Sequence, residues 1–113
     1  MHEMSLTNGI LRILEDQART RNFSRVRTVW LEIGTLSHVD PEAIRFCFES
    51  TSKGTIAEEA CLVILEPAGQ AWCLDCSQSV TVTRRGDPCP ICGGFMLHVT
   101  GGEELRITEL EVE

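Results

Sequence analysis

Four cysteines arranged as two C-x-x-C pairs constrain this chain more than any other feature of its sequence. Cys73 and Cys76 form the first pair, and Cys89 and Cys92 form the second, with twelve residues between the pairs. A gap of two residues lets a tight turn point both sulfurs at one ion, and two such turns provide the four soft ligands of a tetrahedral zinc. Because four thiolates leave no ligand position for water, we predict a structural zinc. Iron and a redox-active thiol pair are the alternatives.

The segment that carries these cysteines, residues 69–100, needs the metal in order to fold. A segment this short buries too little apolar surface to form a stable core, and a bound metal supplies the missing folding free energy. Residues 79–83 are predicted to form a strand of a zinc ribbon that turns at residues 84–86. The segment contains Asp75 and Asp87 against Arg84 and Arg85, so it lacks the basic stripe of a nucleic-acid-binding ribbon.

Composition excludes several other classes of protein. The chain has 113 residues and a net charge of −7, from 10 Lys and Arg against 17 Asp and Glu. Phosphate groups repel such a chain, so nucleic acid and anionic membranes are disfavoured as partners. The longest apolar run, residues 60–65, is far shorter than the ~20 residues that span a bilayer, and the first residues lack the features of a signal peptide. We therefore expect a cytoplasmic protein, whose reduced cysteines serve metal binding.

Two amphipathic helices are predicted ahead of the cysteine segment. Ser5 is the predicted N-cap of the first, at about residues 5–21, which leaves the four preceding residues free to bind a ligand. Asp40 is the predicted N-cap of the second, with Pro41 at its first position and Gly54 ending it in a left-handed conformation. The positions with helical apolar spacing are Leu6, Ile10, Leu11, Ile13, Leu14, Gln17 and Ala18, then Ile44, Cys47, Phe48 and Thr51.

Three β-prone segments, Val26–Ile33, 62–65 and Leu105–Val112, complete the pattern. We predict an α+β fold in which two helices and a three-stranded sheet form one small domain, residues 1–68 plus 101–113. The four-cysteine zinc-ribbon module, residues 69–100, is inserted into this domain, with hinges near Pro67 and at Gly101-Gly102. The remaining cysteines, Cys47 and Cys61, are predicted to be buried packing residues.

The first three residues, Met1, His2 and Glu3, bring several nitrogen donors together. The terminal amine, the amide and imidazole of His2 and the amide of Glu3 lie within chelate-ring distance of one another. Such a planar, nitrogen-rich set suits Ni(II) or Cu(II). Because every Met-His start contains these atoms, the residues alone leave a metal role open.

Four blocks of the sequence together resemble the HypA/HybF family of hydrogenase nickel-incorporation metallochaperones. The blocks are MHEMSL (1–6), LEIGTLSHVDPE (31–42), CPICG (89–93) preceded by Cys73 and Cys76, and ELRITELEVE (104–113). They occur in order over essentially the whole chain. Met4 stands where Leu is commoner in the family, which is a volume-conserving change.

The resemblance implies a nickel carrier without catalytic activity. It implies Ni(II) binding at the N-terminus by Met1, His2 and Glu3, with His2 indispensable, and a structural zinc in the four cysteines. It also implies transfer of nickel to the precursor of the [NiFe]-hydrogenase large subunit, together with a HypB-type GTPase. Nickel is expected to be lost in mild acid before zinc, since protons compete for its nitrogen ligands.

Asp40 and His98 are weaker candidates for nickel ligands. Asp40 also has a simpler role as a helix cap, and His98 is a candidate if the predicted hinges fold the zinc module towards the N-terminus. His38 is expected to be an exposed loop residue. A zinc-ribbon interaction module without transferable metal is the main alternative function, and a zinc hydrolase or thiol-redox enzyme is another. The sequence fits a monomer or a weak dimer.

Overall fold

Two helices and six strands form within residues 2–113, the part of the chain that the computed structural model describes. In chain order they are α1 (Glu3–Arg21), β1 (Val26–Ile33), α2 (Pro41–Thr51), β2 (Cys61–Leu65), β3 (Gly69–Cys73), β4 (Gln78–Val82), β5 (Leu97–Gly101) and β6 (Leu105–Val112). The strands make two three-stranded sheets, in the orders β2-β1-β6 and β4-β3-β5. This confirms the predicted α+β class with a four-cysteine module.

The chain divides into two compact units. Unit 1 contains both helices and consists of the residues up to Leu31, Val39–Ile64 and Ile107–Glu113. Unit 2 contains the cysteine module and consists of Glu32–His38 and Leu65–Arg106. The buried apolar residues of unit 1 are Ile10, Leu11, Leu14, Val26, Val29, Leu31, Ile44, Cys47, Phe48, Ala57 and Leu62. Those in the core cluster of unit 2 are Leu36, Ala71, Cys73, Val80, Val82 and Cys89.

Helix α1 begins at Glu3, two residues before the predicted cap Ser5, so the predicted start is wrong. His2 occupies the N-cap position, and its carbonyl accepts the first helical hydrogen bond from the amide of Leu6 at 2.9 Å. Glu3 favours this earlier start because its negative charge lies in the first turn, near the positive end of the helix dipole. The helix ends at Arg21, and the left-handed conformation of its C-cap Asn22 (φ 58°) is a common C-terminal arrangement.

The buried stripe of α1 differs from the predicted one at two positions. Ile10, Leu11 and Leu14 are buried as predicted, but Ile13 is 51% exposed. Thr7, which the apolar pattern omits, is fully buried, and its hydroxyl donates to the carbonyl of Met4 at 2.9 Å. That hydrogen bond offsets the cost of burying a hydroxyl group, so a polar residue can belong to the core here.

The three strands of the first sheet agree closely with the prediction. β1 and β6 have the predicted bounds, and β2 begins one residue early, at Cys61. β6 pairs with β1 in the sheet, so the last segment of the chain rejoins the first strands as predicted. Val29 and Leu31 are fully buried, which confirms the inward face of the alternating pattern.

Helix α2 has the predicted N-terminus. The Asp40 carboxylate accepts a hydrogen bond from the amide of Glu42 at 3.0 Å, and Pro41 is the first helical residue. The helix ends at Thr51 with Ser52 as its C-cap, so Gly54 does not end it. Gly54 has φ +77° in the turn that follows, which is the left-handed conformation predicted for it.

Three glycines of unit 2 lie in a contact too tight for any side chain. A Cβ atom on Gly34 would come 2.1 Å from the carbonyl oxygen of Gly102, and one on Gly102 would come 2.6 Å from the Cα of Gly69. Gly102 also has φ +86° and is buried. The sequence predicts a hinge at Gly101-Gly102, and the structure supplies a different reason for glycine at position 102: close backbone approach with a positive φ.

Replacing Gly34 by alanine is therefore expected to lower the free energy of unfolding by more than about 2 kcal/mol, because backbone has to move to admit the methyl group. Gly9 is the matched control, since it lies inside α1 and a methyl group added there would meet only open space. At Gly9 the same substitution should raise the free energy of unfolding by about 0.5–1 kcal/mol. Urea denaturation of both variants measures the difference, and equal effects would contradict the tight contact.

Candidate metal sites

The two C-x-x-C turns of unit 2 are built alike. In the first, the carbonyl of Cys73 accepts a hydrogen bond from the amide of Ser77 at 2.8 Å. In the second, the carbonyl of Cys89 accepts one from Gly93, also at 2.8 Å. Ser77 and Gly93 both adopt positive φ angles, 54° and 74°. In each pair, this hydrogen-bonded turn directs both sulfurs to the same side of the backbone.

The four sulfurs come together as a single cluster, which we call the cysteine quartet (Cys73, Cys76, Cys89 and Cys92). All four lie within 4.8 Å of one another. The sulfurs of Cys73 and Cys92 are 3.8 Å apart, and those of Cys76 and Cys89 are 3.9 Å apart. Zinc–sulfur bonds of about 2.3 Å in a tetrahedron require sulfurs about 3.8 Å apart. The quartet therefore fits a tetrahedral zinc ion.

Backbone amides also point at the sulfurs. The amide of Cys76 donates to the sulfur of Cys73, that of Ile91 to Cys89 and that of Gly94 to Cys92, each at 3.4 Å. Hydrogen bonds from amides favour the negatively charged form of a sulfur. Three members of the quartet thus accept amide hydrogen bonds of the kind that a sulfur bound to a metal also accepts.

The free thiols differ in how readily they lose a proton. The pKa of Cys89 is lowered to about 7, chiefly because the backbone amide of Cys92 hydrogen-bonds its sulfur. The pKa of Cys76 is raised to about 12, chiefly because of its side-chain hydrogen bond with Cys92 and then because of burial. A metal that binds the quartet must displace the proton of Cys76, so binding releases protons and weakens as the pH falls.

The quartet is also part of the apolar core of unit 2. Cys73 and Cys89 are buried, while Cys76 is half-buried and Cys92 exposed. Leu36, which follows β1 in the chain, packs in the same core cluster. The sequence analysis missed this contribution of Leu36, although its isolated apolar side chain in a polar loop was a possible signal.

The structure describes two of the three predicted N-terminal ligands. His2 precedes α1 with its side chain 57% exposed, and its Nδ1 lies 3.9 Å from Oε2 of Glu3. The side chain of Glu3 is only 13% exposed. Met1 lies outside the described residues. Because the first amides of a helix have no partner within it, the helical start leaves the amides of His2 and Glu3 available.

The other predicted candidates occupy separate places. Asp40 caps α2, and His38 is exposed with φ 62°, in the left-handed region. His98 is exposed on β5, where it pairs with Trp72 of β3. Within residues 2–113 the cysteine quartet is the group of three or more His, Cys, Asp or Glu side chains that gathers its ligand atoms around one point.

The two cysteines outside the quartet differ from each other. Cys47 is buried on the inner side of α2, as predicted. Cys61 is exposed, so its predicted burial is wrong. It begins β2, an outer strand of the first sheet, and its neighbour Leu62 takes the inward position instead. A one-residue shift along a strand exchanges the two faces, which explains the error.

No helix in the described part of the chain is both long and apolar enough to cross a membrane.

The fold and the quartet define a small α+β metal-binding protein in which one module closes around a four-cysteine site. The profile of a family described as "Hydrogenase/urease nickel incorporation, metallochaperone, hypA" matches residues 1–112. The chain thus belongs to the HypA family of hydrogenase-maturation nickel metallochaperones.

Similar proteins agree with this assignment. The chain is 58% identical to the hydrogenase maturation factor HypA of Rhodopseudomonas palustris (strain TIE-1) and 59% identical to that of Bradyrhizobium sp. (strain ORS 278), over 113 residues and the full length of each. The fold resembles the solution structure of the Ni metallochaperone HypA from Helicobacter pylori, with a TM-score of 0.71 and 24% identity, over 99% of this chain and 97% of that one. A second solution structure of a HypA protein gives a TM-score of 0.74, with 24% identity and coverage of 100% and 97%.

Proposed function

We propose that this chain is a nickel carrier rather than a catalyst. It binds Ni(II) through the amine of Met1, the amide and imidazole of His2 and the amide of Glu3, and it delivers the ion to the precursor of the [NiFe]-hydrogenase large subunit. A HypB-type GTPase assists the transfer. The observation that carries this proposal is the match of residues 1–112 to a nickel-incorporation family.

The described start of the chain supports nickel binding by backbone nitrogens. The carbonyl of His2 is used by the helix, but the amides of His2 and Glu3 precede the first intrahelical donor, Leu6. Nickel can therefore take these nitrogens without breaking a helical hydrogen bond. The imidazole of His2 is exposed and makes no side-chain capping bond, so it is free to turn towards the ion. Nitrogen donors of this kind suit Ni(II).

We assign zinc to the cysteine quartet. Four sulfurs within 4.8 Å of one another can close around one ion as thiolate ligands, and a bound zinc would supply folding free energy to unit 2. Soft thiolates in unit 2 and harder nitrogens in unit 1 then separate the two metals by ligand type. The reduced thiols that this site needs fit a protein of the cytoplasm.

We also propose that Asp40 and His98 are supporting ligands of the nickel ion. Asp40 already serves as the cap of α2, so replacing it by asparagine, which also caps helices, separates the two roles. His98 is exposed and can be replaced by alanine without opening a cavity. A lower nickel affinity in either variant supports a ligand role, and unchanged affinity and stoichiometry exclude it.

The decisive experiment compares the chain that starts at Met1 with a version that carries two extra residues before Met1. The extension displaces the terminal amine but preserves His2, Glu3 and the quartet. We expect one nickel and one zinc per chain without the extension, and zinc alone with it, by elemental analysis after gel filtration. If both versions bind nickel equally, the amine is not a ligand. If neither binds nickel while both hold zinc, the carrier function itself fails.

Acid is expected to remove nickel before zinc. The proposed nickel site depends on an amine, an imidazole and backbone amides that all have to give up protons, whereas the zinc site is reinforced by the folding of unit 2 around it. Dialysis of the doubly loaded protein at a series of pH values, followed by metal analysis, measures the order of release. Two release curves that coincide would contradict this order.

A further inference from the structure

The last strand of the chain, β6, lies at one edge of its sheet. The strand order is β2-β1-β6, so β6 pairs with β1 on one side, and within residues 2–113 no strand covers its other side. An uncovered edge presents a row of backbone donors and acceptors that can pair with another extended chain. β6 has eight residues and no proline, and the charged side chains that it carries are Arg106, Glu109 and Glu111.

An apolar groove runs beside this edge. It has a volume of about 700 Å³ and lies between the C-terminal half of α1 and β6. Its apolar lining residues are Ile13, Phe23, Ile107, Leu110 and Val112. Ile13 is 51% exposed and Val112 is 40% exposed, whereas the other three are half-buried. A strand added to β6 would therefore place every second side chain over this groove, because side chains alternate between the two faces of a strand.

The charges of the edge indicate what kind of strand it accepts. Glu109, Glu111 and Glu113 alternate along the end of the chain. Glu113 is paired with Arg27 at 3.2 Å, and the one cation of β6, Arg106, is paired with Glu32 at 2.6 Å. Glu109, which also lines the groove, and Glu111, which accepts a hydrogen bond from the hydroxyl of Thr28 at 2.7 Å, have no cationic partner among the ion pairs of β6. They thus remain as negative charges on the strand, whereas Arg21, the cation of the groove lining, lies on α1.

A second copy of this chain is a poor match for the edge. Pairing two β6 strands would bring four glutamates together, Glu109 and Glu111 of each copy, and like charges directly opposite on paired strands are destabilising. A strand with basic side chains next to Glu109 and Glu111 and apolar side chains over the groove is complementary in both charge and shape.

We propose that the edge of β6 and the adjoining groove bind an extended segment of a partner protein by strand addition, and that this segment alternates basic and apolar residues. The surface shares no residue with the cysteine quartet or with the proposed nickel ligands. Its occupation is therefore compatible with both metals, and the inference does not depend on the proposed nickel function.

A labelled peptide of eight alternating valine and lysine residues tests this proposal. We expect fluorescence anisotropy to show that the peptide binds the full chain, and hydrogen exchange to show protection of β6 amides when it is bound. The matched control is the same peptide with an N-methyl group on every backbone amide, which cannot donate strand hydrogen bonds from either edge. Equal binding of the two peptides, or unchanged exchange in β6, overturns the proposal.

Variants of the chain separate strand addition from general attraction to an acidic protein. The double substitution Glu109→Lys and Glu111→Lys should weaken peptide binding about tenfold more than Glu15→Lys and Glu49→Lys, which make the same charge change at exposed helical positions. Ile13→Gln, at an exposed position of the groove, should weaken binding severalfold. Equal effects of the two double variants on peptide binding would contradict the proposed partner. Protection of β6 amides that rises with protein concentration in the absence of peptide would also contradict it, and would assign the edge to a second copy of the chain.

Discussion

Replacing His2 by alanine is expected to lower nickel affinity by more than about 100-fold while one zinc per chain is retained. The proposed site loses the imidazole of His2, and changes to groups that merely support metal ligands already cost about 10–100-fold. The substitution should leave the fold intact, since the His2 side chain is 57% exposed and makes no capping bond. Calorimetric titration with nickel measures the nickel affinity, and zinc analysis of the same sample measures the number of zinc ions retained per chain.

His38 provides the matched control for this experiment. It is also an exposed histidine, but its φ of 62° lies in the left-handed region, where asparagine is tolerated better than alanine. His38→Asn should therefore preserve both the fold and nickel binding. If His2→Ala retains its nickel affinity, or if His38→Asn loses as much, the N-terminal site is wrong even though the family assignment stands.

Replacing Cys73 by serine is expected to remove zinc and to unfold unit 2. Cys73 supplies a ligand and is at the same time a fully buried member of the core cluster. The binding of a structural zinc contributes roughly 10–16 kcal/mol in small zinc modules, more than the entire stability of most small domains. Unit 1 has its own buried residues and both helices, so its helical circular dichroism should persist.

The control for Cys73→Ser is Cys61→Ser, because Cys61 is an exposed thiol outside the quartet. This variant should keep one zinc per chain and a native pattern of amide exchange in both units. Zinc analysis, circular dichroism and hydrogen exchange on the two variants test the prediction. Protected amides in β3 and β4 of a zinc-free Cys73→Ser protein would show that unit 2 folds without the metal.

The elements with strong local signals could be predicted from the sequence. β1 and β6 follow from alternating apolar residues, and the start of α2 follows from Asp40-Pro41, because a side chain and a ring act on their immediate neighbours. The quartet is equally local in origin, since each C-x-x-C turn places its own two sulfurs together. For the N-terminal residues, the sequence shows which nitrogen atoms could bind a metal. Only the resemblance to the HypA/HybF family indicates that this metal is nickel.

Other features depended on contacts between distant parts of the chain. The start of α1 is not one of them, because Glu3 favours the earlier start locally, by placing its negative charge in the first turn. The exposure of Ile13 and the burial of Thr7 depend on which side of α1 the rest of unit 1 covers, which helical spacing alone cannot specify. The exposure of Cys61 likewise depends on the outer position of β2 in the sheet.

The sequence by itself determined the four-cysteine cluster, the fold class and the bounds of β1 and β6, because ligand spacing and apolar periodicity act over a few residues. Only the tertiary structure decided that Gly34 and Gly102 meet backbone to backbone, that Leu36 completes the core around the quartet, and that β6 ends as an uncovered edge beside a groove. Each of these joins residues far apart in the chain, and their contact depends on how the elements pack rather than on any local pattern.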